Sequence, residues 1–404
     1  MVMVRPFRAL RPSAADAPRV ASPPYDVIST AEARALAAGD PLSFLHVSRP
    51  EIDLPEGVDP HDPAVYLRGA ANLRDLKARG LLCPDPSPRL YVYAQEMGTH
   101  RQRGVVGCVS VAEYDADVIR KHEKTRADKE DDRTLHVHAL GAHDEPVFLT
   151  YRADPDVGAR VEAACQAEPA YDFTTPDAVR HTLWVLSEAD SAALSAAFGR
   201  VQALYVADGH HRSAAASRVH ALRADSPGDH GVFLAVVFPD DAMQILAYHR
   251  LVRDASGRDP AALLTALGEV VDISLLEGPV APGPKAVGLY LGGRWYRGAF
   301  RAGSYDPTDP VASLDVALCQ DQVLGPVLGV TDPRRDPNVD FVGGIRGADE
   351  LVRRVEAEGW SLAVAMHPTS MADLLAVSDA GRLMPPKSTW FEPKLRSGLF
   401  VHSL

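Results

Sequence analysis

The residues of this chain with the most chemical potential form one short run, Asp208-Gly-His-His-Arg212. An apolar segment (204–207) precedes the run and an alanine-rich segment follows it, which predicts a strand, a tight turn and a helix. The first backbone N–H groups of a helix lack partners within it and carry its positive dipole end, so this turn suits a phosphate. We therefore predict an anion-binding turn.

Side chains of the same run support this prediction. Arg212 can grip an anion with two donors, and we expect it to face a cleft. His210 and His211 add ionisable groups at the same place. The alternative is purely structural, with Asp208 as a helix cap and Gly209 as a turn residue, and it leaves both histidines and the arginine without a role.

A second run, His122-Glu-Lys-Thr125, follows the apolar pair Val118-Ile119. Glu123 can take a proton from a hydroxyl group if the acceptor lies nearby and the pKa of the carboxyl group suits the task. The alternative is a solvated charge run that continues to Arg133, which is a common pattern. The sequence alone leaves both interpretations open.

A third run lies at residues 384–399, where Pro385 and Pro386 hold the backbone extended. Donors that suit a phosphate or carboxylate follow, namely Lys387, Ser388, Thr389 and Lys394. Large apolar residues predict that this tail docks on the body of the protein; they are Trp390, Phe391, Leu399 and Phe400. We expect Lys387 to lie within about 10 Å of Arg212, with a plain docking strap as the alternative.

Two weaker patterns complete the candidate residues. Tyr25 and Asp26 form a hydroxyl–carboxylate pair after two prolines, although a plain turn explains them. Zinc ligands are available in His136, His138, His143 and Asp144. A helix over residues 134–140 would point the first two of these histidines to different faces, which disfavours zinc. The sequence has no P-loop, dinucleotide-binding glycine motif or protein-kinase signature.

Composition limits the class of protein. The 404 residues, 46% hydrophobic and 24% charged, are typical of a globular protein with two or three domains or lobes. A net charge of -12 argues against a general nucleic-acid surface. Four scattered cysteines suggest reduced thiols, and the longest apolar run, 232–238, is too short to span a membrane. Because the N-terminus also lacks a signal-peptide pattern, we expect a cytoplasmic protein without membrane or nucleic-acid partners.

The elements that must position these residues follow from the hydrophobic pattern. Strands alternate with helices through 105–225, with a helix predicted at 127–140 and a strand at 147–151. This alternation predicts a mixed α/β core that contains the Asp208 turn. We predict an N-terminal α/β lobe at 1–104 and a C-terminal α/β lobe with the docking tail at 226–404. Hairpins are predicted within 90–114, 231–252 and 286–300, the last with its turn at Gly292-Gly293.

The run Asp208-Gly-His-His-Arg212 after a strand resembles the D-G-H-x-R signature of the ParB/sulfiredoxin-like fold, in the branch that contains the free serine kinases (SerK). Together with Pro23-Pro-Tyr-Asp26, His122-Glu-Lys-Thr125 and Pro386-Lys-Ser-Thr389, it resembles a large bacterial and archaeal family of unknown function related to those kinases. The resemblance implies a ParB/sulfiredoxin-like core with elaborated N- and C-terminal lobes. Sulfiredoxin chemistry is disfavoured because Gly209 stands where its cysteine is needed, and DNA partitioning because the chain has no recognisable basic helix-turn-helix.

The same resemblance implies a phosphotransferase that uses ATP or ADP, with Mg²⁺, to phosphorylate the hydroxyl group of a small free amino acid. The amino acid expected from the resemblance is L-serine. Asp208, Gly209, His210 and Arg212 match the phosphate-binding turn, and Glu123 matches the catalytic glutamate. The implied catalytic residues are Glu123, Asp208 and His210, with Asp208 orienting the substrate or Mg²⁺. The implied nucleotide contacts are Gly209, His210, His211, Arg212, Ser213, Lys387, Ser388 and Thr389, and Lys387 and Lys394 are expected to close over the site.

Two other functions stay open at the level of sequence. A regulatory protein would bind a nucleotide or another effector in the same pocket without turnover. A zinc hydrolase would use His136, His138 and His143, and would need stoichiometric metal. The sequence identifies neither the donor nucleotide nor the acceptor, and it is compatible with a homo-oligomer.

Overall fold

Two separate sheets organise the chain, which the computed structural model describes from residue 2 to residue 404. The chain up to Met243 forms one compact unit together with Pro393–Leu404, and Gln244–Glu392 forms a second. Helices and strands alternate in both units, so the mixed α/β class predicted from the sequence is confirmed.

The strands are β1 (Val4–Arg5), β2 (Leu10–Arg11), β3 (Cys83–Pro84), β4 (Tyr91–Met97), β5 (His100–Ser110), β6 (Ile119–Arg120), β7 (Ala142–His143), β8 (Val147–Tyr151), β9 (Tyr171–Thr174), β10 (Val179–Val185), β11 (Leu204–Asp208), β12 (Val232–Pro239), β13 (Gln244–Leu246), β14 (Tyr248–Val252), β15 (Val271–Leu276), β16 (Ala286–Leu291), β17 (Arg294–Phe300), β18 (Val339–Gly343), β19 (Leu362–Met366), β20 (Trp390–Glu392) and β21 (His402–Ser403).

The helices are α1 (Ala17–Val20), α2 (Thr30–Ala37), α3 (Leu45–Ser48), α4 (Pro63–Ala78), α5 (Val111–Asp115), α6 (Ala127–Leu140), α7 (Pro155–Ala164), α8 (Glu188–Phe198), α9 (His210–Leu222), α10 (Pro260–Gly268), α11 (Asp315–Leu318), α12 (Gly347–Glu358) and α13 (Met371–Asp379). Across residues 2–404, no helix combines the length and the apolar character that crossing a membrane requires.

The sheet of the first unit has the strand order β6-β11-β8-β12-β5-β4-β10-β9, with β1 also paired to β5. Strand β11 lies between β6, to which it is parallel, and β8, to which it is antiparallel. Parallel neighbours end at the same edge of a sheet. The residues that follow β6 and those that follow β11 therefore meet at one edge, although they are far apart in the sequence.

The two faces of this sheet differ in character. One face contributes Leu149, Val206 and Val237 to an apolar core that also includes Phe198 of α8. Because side chains alternate along a strand, neighbours such as Thr150 point to the other face. Thr150, Gln95 and Gln102 are fully buried polar residues on these strands, so the sheet has a polar interior beside its apolar core.

The second unit has its own antiparallel sheet, in the order β15-β17-β16-β19-β14-β18, and a short pairing of β13 with β20. Its apolar core includes Leu251, Tyr290, Trp295, Leu351 and Trp360. The turn predicted at Gly292-Gly293 joins β16 to β17, both glycines having positive φ. The hairpin predicted within 286–300 is therefore confirmed.

The structure divides the chain differently from the predicted segments 1–104, 105–225 and 226–404. The boundary at 104/105 falls inside β5, which pairs with β4 along its length. Beyond residue 225, β12 inserts between β5 and β8 of the same sheet. The predicted hairpin within 231–252 is wrong for the same reason, because β12 belongs to the first sheet and β14 to the second.

Candidate functional site

The predicted strand, turn and helix form at the Asp208 run. Strand β11 ends at Asp208, Gly209 has φ +96°, and α9 begins at His210. The N-cap residue is a glycine and makes no side-chain cap to this helix, which leaves the first N–H groups to be satisfied by other acceptors such as an anion. A Cβ atom on Gly209 would lie 3.1 Å from Nε of Arg212. The position therefore requires glycine both for its backbone conformation and for the close guanidinium group.

Arg212 folds back over this turn and is 9% exposed. One terminal nitrogen donates to the carbonyl oxygen of Pro146, the other lies 3.9 Å from Oδ1 of Asp208, and Nε is buried without a partner in the described part of the chain. Burial opposes the charge, but the carboxylates of Asp26 and Asp208 outweigh it and hold the pKa of Arg212 above its usual value. Arg212 is therefore buried rather than open to a cleft, and its contact with an anion stays a prediction.

Lys394 reaches the same turn from the C-terminal segment of the first unit. Its Nζ lies 2.8 Å from Oδ2 of Asp208. Burial alone would raise the pKa of Asp208, but Lys394 and then Arg212 lower it well below its usual value. Asp208 is therefore a carboxylate between two cations. The expected approach of Lys394 to this turn is found, whereas its ion pair with Asp208 was not predicted.

Two buried histidines lie beside the turn. The rings of His122 and His210 are nearly perpendicular, with centroids 4.5 Å apart. Burial lowers the pKa of His122 to about 4. Burial, and then the neighbouring His122 ring, lower the pKa of His210 well below its usual value. Both rings are therefore neutral near neutral pH.

Glu123 follows β6 and comes to the same edge of the sheet. Its Oε2 lies 4.0 Å from Nδ1 of His210, and its side chain is 43% exposed. The two runs predicted to carry chemistry thus lie together because β6 and β11 are parallel neighbours. This contact favours a defined position for Glu123 over the alternative of a solvated charge run.

The remaining residues of the turn have structural partners. Nε2 of His211 accepts a hydrogen bond of 3.1 Å from the backbone N–H of Arg126, and burial lowers the pKa of His211. The hydroxyl group of Ser213 is fully buried and donates to the carbonyl oxygen of Gly209. A ligand contact by Ser213 requires that this hydrogen bond open.

Lys387, Ser388 and Thr389 belong to the second unit. The ammonium group of Lys387 lies 5.3 Å from the ring centroid of Tyr248, and its carbonyl oxygen accepts from Arg250. The hydroxyl group of Ser388 donates to the carbonyl oxygen of Pro385. The expected approach of Lys387 to Arg212, and nucleotide contacts by all three residues, stay predictions.

The end of the chain docks on the first unit. Leu399 and Phe400 are each 1% exposed. The ring of Phe400 lies 5.3 Å from that of Tyr91 and 6.1 Å from that of Tyr93. In the second unit, Phe391 is buried and Trp390 is half-buried, with the Trp390 ring 5.0 Å from that of Tyr248.

A buried polar network supports Arg212 from behind, and sequence reasoning missed it. Glu145 accepts hydrogen bonds from the backbone N–H of Tyr25 and from the hydroxyl group of Ser397. Burial, followed by the charge of Asp144, raises the pKa of Glu145 to about 7. Arg212 lines a cavity of about 10 Å³ with both acids, room for one water at most. The only feature of the sequence that indicated this buried network was the acidic pair Asp144-Glu145 before β8.

The histidines considered as zinc ligands are used differently. Nε2 of His136 lies 2.9 Å from Oδ2 of Asp144 inside the fold, whereas His138 is exposed, as the helical spacing predicted. Within the described range 2–404, no group of three or more His, Cys, Asp or Glu residues is arranged to hold a metal ion. The zinc hydrolase therefore has no support in this geometry.

Comparisons with known proteins give one family. Residues 4–317 match a family described as a protein of unknown function (DUF1015), a range that includes Glu123 and the whole Asp208 run. No curated protein matches the chain.

Several solved structures resemble it at low identity. A free serine kinase variant in complex with ADP is 13% identical, with a TM-score of 0.36 over 73% of this chain and 92% of that chain. A free serine kinase in complex with AMP is 13% identical, with a TM-score of 0.37 over 73% and 91%. SbnI with a C-terminal truncation, from Staphylococcus aureus, is 10% identical, with a TM-score of 0.39 over 74% and 87%. TM-scores this far below 0.5 do not establish a common fold.

Proposed function

The chain belongs to the DUF1015 family, whose function is unknown, and we propose an activity from the residues of its own site. The proposed reaction transfers a phosphoryl group from ATP or ADP to the hydroxyl group of a small free amino acid, with L-serine as the leading candidate. The observation that supports this most is the 4.0 Å approach of the Glu123 carboxylate to His210 in the first turn of α9. A proton acceptor thus lies beside a helix N-terminus that suits phosphates. The sequence resemblance to free serine kinases points to the same chemistry.

Each group has a defined task in this proposal. The first N–H groups of α9 bind the phosphates of the nucleotide, and Arg212 beneath them adds positive charge. The hydroxyl oxygen of the amino acid attacks the terminal phosphorus, and the bond from that phosphorus to the bridging oxygen breaks. The hydroxyl proton passes to Glu123, and the leaving nucleotide keeps the electron pair. Neutral His210 lies beside Glu123 and orients its carboxylate.

Mg²⁺, which the kinase interpretation implies, does not fit Asp208 as this residue is placed. Oδ2 of Asp208 already accepts a hydrogen bond from Lys394. A protein-bound Mg²⁺ ion needs one or two carboxylates and otherwise keeps water and phosphate ligands. We therefore propose that any Mg²⁺ enters on the phosphates of the nucleotide.

The test is a direct assay for phosphoamino acids after incubation with ATP or ADP and a panel of free amino acids. We expect Glu123→Gln to lower turnover by about a hundredfold or more, with little change in nucleotide affinity, because it removes only the proton acceptor. Glu168→Gln, at an exposed acid outside the site, is the matched control and should retain full turnover. Near-normal turnover of Glu123→Gln would exclude Glu123 as the base.

A second candidate is a regulatory protein that binds a nucleotide or another effector without turnover. The 43% exposure of the Glu123 side chain favours it, since a sensor needs the anion-binding turn but no buried proton acceptor. Nucleotide binding without phosphorylation of any amino acid in the panel would support the sensor and contradict the kinase.

A further inference from the structure

We propose that Lys394 takes the place of a metal ion beside Asp208, so that the first unit binds nucleotide phosphates with a cation of its own chain. The inference deepens the proposed function and rests on it for the identity of the ligand. It starts from the ion pair between Nζ of Lys394 and Oδ2 of Asp208, 2.8 Å apart.

The backbone of Lys394 is held by a rigid part of the sheet. Gln95 donates to the carbonyl oxygen of Lys394 at 2.8 Å, and Gln102 donates to the amide oxygen of Gln95 at 3.0 Å. These glutamines face each other across β4 and β5 and are fully buried. Burying two polar side chains costs free energy unless their hydrogen bonds are made. The pair therefore acts as a positioning element that fixes where the Lys394 side chain begins.

The charges around Asp208 match an anionic ligand. The Lys394 ammonium group lies on one carboxylate oxygen, and the Arg212 guanidinium group lies 3.9 Å from the other. Asp26 also acts on Arg212, so the attraction for an anion comes from the Lys394 ammonium group together with the positive end of α9. The Lys394 side chain is 16% exposed, which is enough access for a phosphate oxygen to approach it.

A metal ion and Lys394 exclude each other at this carboxylate. Mg²⁺ on Oδ2 of Asp208 would displace Lys394, and Mg²⁺ on Oδ1 would lie close to both the Lys394 ammonium and the Arg212 guanidinium group, whose positive charges would repel it. A protein with a lysine in this position binds phosphates through the ammonium group as a point charge. Removing the lysine should therefore convert Asp208 into a metal-binding carboxylate.

The experiment measures ADP affinity by calorimetric titration of the full chain, once in EDTA and once in excess Mg²⁺. We expect Lys394→Met to weaken ADP binding in EDTA about tenfold or more, the loss of a charge-assisted contact. Mg²⁺ should restore part of this affinity in Lys394→Met. The double variant Lys394→Met/Asp208→Asn should show the loss without the recovery, and Lys77→Met, at an exposed lysine of α4, should match the wild type.

A titration with Mn²⁺ and no nucleotide tests the exchange of cations directly. We expect no binding at Asp208 in the wild type, binding in Lys394→Met, and none in the double variant. Unchanged ADP affinity of Lys394→Met in EDTA, or wild-type Mn²⁺ binding that Asp208→Asn abolishes, would overturn the inference. If Lys394→Met fails to fold, Lys394→Arg must retain ADP binding in EDTA, and the wild-type Mn²⁺ titration still decides.

Failure of the proposed function gives a different pattern. If the wild-type protein binds ADP but phosphorylates none of the amino acids, the proposed kinase activity is excluded and the inference about Lys394 is unaffected. If the wild-type protein does not bind ADP, a nucleotide is excluded as the ligand. The Mn²⁺ titrations then decide whether Lys394 occupies the position of a metal ion. If the wild-type protein is an active kinase and Lys394→Met binds ADP as tightly as the wild type, the inference about Lys394 is wrong while the proposed function holds.

Discussion

At the scale of single residues, the site is built from groups whose charges depend on one another. Asp208 stays ionised because Lys394 and Arg212 flank it, and His210 stays neutral because it is buried beside His122. The same residues therefore hold the turn together and prepare it for a ligand. Substitutions here should change stability and binding at once, and matched controls are needed to separate the two.

Gly209→Ala should destabilise the protein by about 1–3 kcal/mol, because alanine is strained at φ +96° and its Cβ would meet Nε of Arg212. The matched control is Gly39→Ala, which has a similar positive φ of +75° but no neighbouring atom within 4 Å. Denaturant unfolding of both variants isolates the contact with Arg212. Equal losses of unfolding free energy would show that the contact contributes nothing.

Arg212→Ala should lower the unfolding free energy by about 3–5 kcal/mol, because it removes a buried cation from beside the carboxylates of Asp26 and Asp208. The loss should appear in denaturant unfolding without any ligand. Arg212→Lys keeps the charge but not the bond geometry and should lose less. An Arg212→Ala variant as stable as the wild type would mean that the guanidinium group faces solvent after all.

At the scale of elements, local signals predicted most segments well. The predicted helix 127–140 and strand 147–151 match α6 and β8, since each is marked by its own cap or apolar run. Glycine turns likewise located the two hairpins that form. The predicted hairpin 231–252 does not form, because β12 is taken up by strands β5 and β8, and a local pattern contains no information about such distant pairing.

The site shows the same limit. The Asp208 turn is local, and its strand, glycine and helix were all predictable from adjacent residues. The approach of Glu123 depends on the parallel pairing of β6 with β11, and that of Lys394 depends on a segment nearly two hundred residues later. The local sequence around Tyr25 predicts only a plain turn, since Arg133, whose guanidinium group lies 3.9 Å from the centroid of the Tyr25 ring, is also distant in the sequence.

Phe400→Ala should destabilise the first unit by about 3–5 kcal/mol, the usual cost of removing a fully buried aromatic ring. It should also weaken ADP binding, because Lys394 lies on the same docked segment. Leu222→Ala, at a leucine that is 63% exposed, is the control for both measurements. Full stability of Phe400→Ala in urea would show that the segment is only loosely attached.

At the scale of the whole molecule, buried histidines set the response to acid. Burial lowers the pKa values of His122 to about 4, and of His143 and His181 to about 3, from an ordinary 6.5. Glu145 acts in the opposite direction, because its folded pKa of about 7 lies above its ordinary 4.5. The pKa values of His210, His211 and His249 are lowered as well, so six histidines with lowered pKa values outweigh Glu145 and His46, whose pKa values are raised.

The unfolding free energy should therefore fall as the pH drops from 6.5 towards 4. In this range the unfolded chain binds protons on these histidines while the folded chain does not, so acid favours unfolding. Thermal unfolding at pH 8, 6 and 4.5 measures the slope. His122→Gln should flatten it, whereas His138→Gln, at an exposed histidine, should not. A melting temperature that is constant across this range would contradict the assignment of neutral buried rings.

The first unit is discontinuous in the chain, since its last twelve residues follow Gln244–Glu392, and this has a consequence for synthesis. A ribosome adds about 5–20 residues per second, so Lys394 is made on the order of ten seconds after the Asp208 turn has emerged. Until then, Asp208 has no ammonium partner and Tyr91 has no Phe400 beside it. The first unit is therefore incomplete until synthesis ends, and a chain released before residue 394 would lack the Lys394 ammonium group at its site.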